Sequence, residues 1–212
     1  MAQIKRPWTE RWLDVLYPPS CPGCGAEGYG FCADCIAAIQ PQRFNLTDDI
    51  HVYGAGLYRG ELRSALLQTK LLGHTYFSYA LAQMVLRALP LDTLGAFPVA
   101  VVPMPASIKR RRQRGYSCPH LIAKSLSRAV DSFAYRPDIL SLTRELKAQK
   151  TLTRSERFKN VQGAYIAQNA RDLYILLVDD VFTTGASAQS AASALYEAGA
   201  LRVDVAVLGV RE

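Results

Sequence analysis

Residues 173–178, Leu-Tyr-Ile-Leu-Leu-Val, form an unbroken apolar run that ends in two adjacent acids, Asp179 and Asp180. A hydroxyl-rich glycine turn follows at once: Val181-Phe182-Thr183-Thr184-Gly185-Ala186-Ser187. An apolar run of this length without polar alternation predicts a strand covered on both faces, as in a parallel sheet. From Ala188 to Ala198 small and apolar residues recur at helical spacing, with Gly199 placed to close the helix. Strand, acidic pair, turn and helix in that order commit the chain to an α/β fold whose turn opens a helix N-terminus, a place that favours anions. The acids can accept hydrogen bonds from vicinal hydroxyls, while Thr183, Thr184 and Ser187 add donors around a monoester phosphate. A ribose 5-phosphate satisfies both ends, although an ordinary strand-to-helix turn with acids near a helix start would show the same local pattern.

The chain has 212 residues, 50% of them hydrophobic, enough for one α/β core and an accessory region of about 90 residues. No run approaches the roughly 20 apolar residues of a membrane span, and Glu10 and Asp14 interrupt the N-terminus where a secretory segment would need apolar residues. The expectation is a cytoplasmic protein without membrane insertion. Trp8, Trp12, Leu13, Val15 and Leu16 share one helical face, suited to packing on the core. Three units are expected: residues 1–45, 46–95 (a connecting hairpin and helices, either a cap or the start of the core) and 96–212. In the last, Val99-Ala100-Val101-Val102 predicts a second strand that runs into the polar loop Pro103 to Arg110. Two such loops at one sheet edge surround one crevice.

Cys21, Cys24, Cys32 and Cys35 read as C-x2-C-x7-C-x2-C. Two knuckles of this kind present four thiolates tetrahedrally to a structural zinc, which also lets a segment of about 20 residues with little core fold. Disulfides or an iron–sulfur cluster would use the same four residues. His51, His74 and His120 are then not needed as ligands. Cys118, two residues before His120, reads either as a nucleophile beside a base or as a small packing residue at a helix start.

The net charge of +7 is concentrated. Lys109, Arg110, Arg111, Arg112 and Arg114 lie within six residues, and the segment from Arg144 to Lys159 carries six bases against two acids. Local positive fields of this kind suit a diphosphate leaving group or a nucleic-acid backbone. Arg110, Arg111, Arg112, Arg114, Arg154 and Arg157 are the candidates for single-stranded DNA phosphates.

Four apolar residues, two acids and V-x-T-T-G-x-S resemble the phosphoribosyl-pyrophosphate (PRPP) signature of type I phosphoribosyltransferases. The resemblance implies a core with a central, mostly parallel sheet flanked by helices, beside the small N-terminal zinc-binding module. It also implies that Asp179 and Asp180 hold the ribose hydroxyls while Val181, Thr183, Thr184, Gly185, Ala186 and Ser187 hold the 5-phosphate. Ser107, Lys109 and Arg110 would then stand in the pyrophosphate loop. The basic stretch 142–161 would be either a mobile lid, with Arg144 and Lys147 acting on the departing pyrophosphate together with magnesium, or an exposed helix and loop. Members acting on 6-oxopurines carry an acid where this chain has Thr183, which argues against purine salvage.

The four-cysteine finger, V-P-M-P at 102–105, R-x-R-G-Y at 112–116, the stretch from Thr143 to Tyr165 and V-D-D-V-F-T-T-G-A-S at 178–187 together resemble the ComF family of competence proteins. That resemblance implies a part in DNA uptake during natural transformation, acting on single-stranded DNA alongside other proteins of the competence machinery. The alternative is an active magnesium-dependent phosphoribosyltransferase of nucleotide metabolism. One departure stands out: Ser117-Cys118 replaces the Asn-Gln pair common in that family.

Overall fold

The apolar run at 173–178 lies in the middle of a six-stranded sheet. In this computed structural model, the described residues are 20–27, 31–72, 77–106, 117–146 and 153–211. In chain order their strands are β1 (Gln42–Thr47), β2 (Ile50–Leu57), β3 (Val99–Pro103), β4 (Phe133–Tyr135), β5 (Leu140–Leu142), β6 (Tyr165–Ala167), β7 (Tyr174–Phe182) and β8 (Arg202–Val210). The helices are α1 (Ala33–Ala38), α2 (Gly60–Leu72), α3 (Phe77–Ala88), α4 (Leu91–Leu94), α5 (Cys118–Ala129), α6 (Arg154–Val161) and α7 (Ala186–Glu197). The main sheet runs β1-β2-β8-β7-β3-β4, with β5 and β6 paired apart from it as an antiparallel ribbon. Every neighbouring pair in the main sheet is parallel except β1 with β2.

Strand alternation divides the core into two layers. Leu176 and Val178 face one side, where they meet Leu62 and Leu66 of α2, Met84 and Val85 of α3, and Ile122 and Leu126 of α5. Ile175 and Leu177 face the other, against Ala188, Ala191, Ala192 and Leu195 of α7. Those four recur at the i, i+3, i+4, i+7 spacing of one helix face, and their small size lets α7 lie close to the sheet. Val161 of α6 and Tyr165 of the ribbon belong to this second layer.

Right-handed crossovers fix where the sheet opens. From β3 the chain passes through α5 to β4, outward in one direction, whereas from β7 it passes through α7 to β8 in the opposite direction. The reversal lies between β3 and β7, the switch point at which parallel α/β sheets bind ligands beyond their C-terminal strand ends. The strand expected to stop before the acids instead continues through Phe182. Pairing with β8 explains this: Asp179 stands opposite Val207, Val181 opposite Gly209 and Phe182 opposite Val210. β3 leaves earlier, with Pro103 opposite Val178 and the Met104 amide donating to the Val178 carbonyl at 2.7 Å. The two acids therefore sit on a strand that has a neighbour on one side only.

The four-cysteine segment is fastened to the first core layer. Cys21 and Phe31 are buried in it. α1 is only six residues long and lacks a basic residue in its last turn, so its carbonyls need partners from outside. Arg87 of α3 supplies them, donating to the carbonyls of Ile36, Ala37 and Ile39. Arg87→Ala should therefore lower the unfolding free energy by about 1–2 kcal/mol in a denaturant titration, and Arg87→Lys, which keeps the charge without the fork, should recover less than half of that.

Candidate functional site

β7 lifts Asp179 and Asp180 to the crest of the sheet. By the strand's alternation Asp179 continues the face of Ile175 and Leu177, and Asp180 the face of Leu176 and Val178. Both line a cleft of about 140 Å³ at the switch point. The Asp180 amide donates to Asp179 Oδ1 at 2.8 Å, which fixes the first carboxylate against its own backbone. Val181, Thr183, Gly185, Ala186 and Ser187 line the same cleft. Thr184 braces the turn, its Oγ1 accepting from the Ala186 amide at 3.5 Å. Gly185 is the N-cap of α7 with φ 76°, in the left-handed region that favours glycine.

The turn leans on the edge of the sheet. A Cβ on Gly185 would lie 2.6 Å from Leu46 Cδ1 and 2.9 Å from the Phe182 ring. Phe44 packs edge-on against Phe182, with ring centroids 5.1 Å apart. β1 is thus the buttress of the turn, through the two residues it directs inward. The opposite wall of the cleft comes from Met104, Pro105 and Ala106 after β3 and from Ser117, Cys118 and Pro119 at the start of α5. Leu142, Leu146 and Tyr165, from the ribbon and its connection, close the third side.

A second centre lies in the N-terminal module. The Sγ atoms of Cys21, Cys24, Cys32 and Cys35 all lie within 4.8 Å of one another. Cys24 Sγ and Cys32 Sγ are 3.7 Å apart, against about 3.8 Å for two thiolates on one tetrahedral zinc with bonds of about 2.3 Å. The Cys32 amide donates to Cys21 Sγ, and the Cys35 amide to Cys32 Sγ, both at 3.4 Å. Burial works against a Cys21 thiolate, but amides of Cys32, Cys24 and Gly23 outweigh it and bring that thiol down to about 6. The Cys32 sulfur instead pushes the Cys35 thiol up. One thiolate is well housed and further ones repel each other, a donor set that a dication completes. A Cβ on Gly23 would come within 2.7 Å of Cys35 Sγ, so the knuckle closes only around glycine.

Comparison with known proteins agrees with the cysteine centre. Residues 12–45 match the double zinc ribbon domain family. The chain is 27% identical to competence protein F of Haemophilus influenzae over 115 residues, 51% of this chain and 48% of that one. It is 34% identical to competence protein ComFC of Bacillus subtilis over 101 residues, 47% of this chain and 39% of that one. With the DNA utilization protein YhgH of Salmonella typhimurium the match is 25% over 193 residues, 87% of this chain and 81% of that one. The chain thus resembles competence proteins of the ComF type, with a zinc ribbon in its N-terminal part. Its matches span about half or less of the length of the first two relatives.

The residues that carry the ComF resemblance fall in three groups. The Thr183–Ser187 turn and the acids share one cleft, and the cysteines share one centre. Arg144 lies on the exposed side of the ribbon, where its Nη2 donates to the carbonyls of Asn160 and Gln162 at 3.1 and 3.2 Å. That ties down the C-terminal end of α6. Ser107, Lys109, Arg110, Arg111, Arg112, Arg114 and Lys147 lie outside the described residues. The backbone of Arg154 and Arg157 belongs to α6, which a reciprocal capping box of Thr153 and Glu156 begins. The expected lid therefore contains a helix. Among the described residues, Cys118 is buried in the cleft wall, while His120 Nδ1 lies 2.8 Å from the Tyr135 hydroxyl. Ser117, Leu142, Leu146 and Tyr165 were not expected in the site. Tyr165 ends the family stretch and Ser117 marks the departure from it, the signals that singled these two out. No helix among the described residues is long and apolar enough to cross a membrane.

Purified protein should carry one zinc per chain by elemental analysis, and Gly23→Ala should lower that occupancy because the new methyl displaces Cys35 Sγ. Gly185→Ala should destabilise the fold by about 1–3 kcal/mol. Adding Leu46→Ala should recover only part of the loss in thermal unfolding, since it relieves the collision but not the left-handed backbone.

Proposed function

We propose that this cleft binds PRPP and that the protein serves DNA uptake in natural transformation. The observation that carries the reading is the juxtaposition of Asp179 and Asp180 with the Thr183–Ser187 turn in one cleft at the sheet's switch point. Carboxylates at the crest suit the ribose hydroxyls, and the N-terminus of α7 suits the 5-phosphate. The half-buried acids also fit a magnesium ion travelling with the ligand, whose contribution would be to neutralise the diphosphate charge. Lys147 would face the diphosphate when the 142–161 segment closes, with Arg144 as the strut that holds the segment's helix in place. The names of the three relatives support the DNA role.

Single-stranded DNA would be held through its phosphates by Arg110, Arg111, Arg112, Arg114, Arg154 and Arg157. Phe158, 40% exposed on α6 next to Lys159, offers a stacking face within that basic stretch. The second reading is a magnesium-dependent phosphoribosyltransferase of nucleotide metabolism. Thr183 favours a version outside 6-oxopurine salvage, because it cannot exchange a proton with a base as an acid can. Both readings place the protein in the cytoplasm and share the ribose-phosphate cradle.

Calorimetry with PRPP and magnesium should show binding that Asp179→Asn with Asp180→Asn weakens by about tenfold or more. Absence of binding by the wild-type chain removes the PRPP reading. Single-stranded DNA affinity should fall steeply with salt and drop further when Arg110, Arg111 and Arg112 are replaced by Ala. Salt-independent binding, or binding unchanged by those replacements, removes the DNA reading.

A further inference from the structure

A second cavity lies at the other end of the same sheet. Arg202 opens β8 and His51 stands second in β2, so this cavity sits at the N-terminal ends of strands whose C-terminal ends flank the cleft. Its volume is about 380 Å³, within the roughly 300–1,000 Å³ of small-molecule pockets. Pairing in register sets Arg43 opposite Tyr53 and Asn45 opposite His51, which puts all four on one face of the sheet. Pro90 and Leu94, at α4, wall the cavity from the helix side. The lining carries two arginines and, among the described residues, no acid.

Both arginines are anchored by one edge and present the other. Arg43 Nε donates to the Ala88 carbonyl at the C-terminal end of α3 at 2.9 Å, and no described residue accepts from its terminal nitrogens. Arg202 is gripped from beneath by Asp204, with Nε to Oδ2 at 3.0 Å and Nη2 to Oδ1 at 3.3 Å. Asp204 is only 1% exposed, so a buried carboxylate fixes a guanidinium that keeps one side open. Tyr53, 8% exposed, stands between the two arginines: Arg202 approaches its hydroxyl, and the field of Arg43 reaches it. Burial, and after it the Asp204 charge, holds that phenol above its ordinary range, so it remains a hydrogen-bond donor.

This donor set selects among anions. A carboxylate has two oxygens, which one guanidinium edge satisfies. Two such edges and a phenol hydroxyl match the three terminal oxygens of a phosphate monoester. The rings of His51 and Tyr53, with centroids 6.5 Å apart, join Pro90 and Leu94 in a surface suited to the organic part of such a ligand. We propose that this cavity is a second ligand site, which takes a small phosphate monoester with its phosphate on Arg43, Arg202 and Tyr53. The site shares no lining residue with the cleft, so it stands independently of the sugar-phosphate reading.

The test is calorimetry on the full chain with adenosine 5′-monophosphate, inorganic phosphate, acetate and adenosine as probes. The wild-type protein should bind the nucleotide best, inorganic phosphate next, and acetate and adenosine at least tenfold more weakly than the nucleotide. Arg43→Ala should weaken both phosphates by about tenfold or more, the loss of hydrogen bonds to a charged group. Arg43→Lys, which keeps the charge without the fork, should recover less than half of that loss on a logarithmic scale. Thr93→Trp, at the mouth of the cavity, leaves the Arg43 anchor in place and should weaken the nucleotide more than inorganic phosphate. Unchanged zinc content and thermal midpoint in Thr93→Trp keep that arm decisive if Arg43→Ala loosens β1. Failure of the wild-type protein to bind either phosphate overturns the proposal, as does nucleotide binding that both variants leave unchanged, which assigns the phosphate to the cleft. Acetate bound as tightly as phosphate, or adenosine as tightly as its monophosphate, overturns it as well. A short oligothymidylate that binds more tightly than the nucleotide and displaces it gives the cavity to a nucleic-acid chain and overturns the small-ligand assignment.

Discussion

The pairing of β7 with unequal neighbours governs the arrangement of the cleft. On one side β8 stays in register as far as Phe182, and on the other β3 departs after Pro103. The difference leaves the acids of β7 on a rigid backbone that is covered on one edge and open on the other. Rigidity comes from the uninterrupted β8 ladder, and access comes from the early exit of β3. A loop could supply access alone, and a fully paired strand rigidity alone. The burial of Leu176 and Leu177 on opposite faces anchors this strand in both layers of the core at once.

The N-terminal module solves a different problem. Its described part is small, and α1 contributes no fully buried residue. Four sulfurs around one metal replace the missing core, while Arg87 and the burial of Cys21 and Phe31 join the module to the main body. A Cβ on Gly56 would meet Ile39 Cγ2 at 2.5 Å, so β2 is in close touch with the chain that leaves the cysteines. Metal chemistry and sheet packing meet along that contact.

Much of this was legible because the relevant patterns were local and strong. The apolar run at 173–178, the small-residue periodicity after Gly185 and the cysteine spacing each name their element without help from the rest of the chain. β1 was not legible: Gln42-Arg43-Phe44-Asn45-Leu46-Thr47 places only two large apolar residues inward, as an edge strand covered on one face does. β5 and β6 are three residues each, too short for a period to show. Ser117 was conspicuous only as a departure from a familiar pair. Its position in the cleft wall follows from where the chain returns to the sheet, which no spacing encodes. The strand's extension through Asp179 and Asp180 was hidden for a related reason, since acids and a glycine turn look like a loop until β8 is available to pair with them.

Leu46 occupies the volume that any side chain at position 185 would need, and Phe44 holds the ring on the turn's other flank. Positions more than a hundred residues apart in sequence thus draw on one shared allowance of space. Such positions are not independent: the turn already holds the smallest residue, so a bulkier one at the sheet's edge leaves the turn no way to yield except to move. The edge strand and the glycine turn are therefore a single packed unit, even though only one of them lines the floor of the cleft.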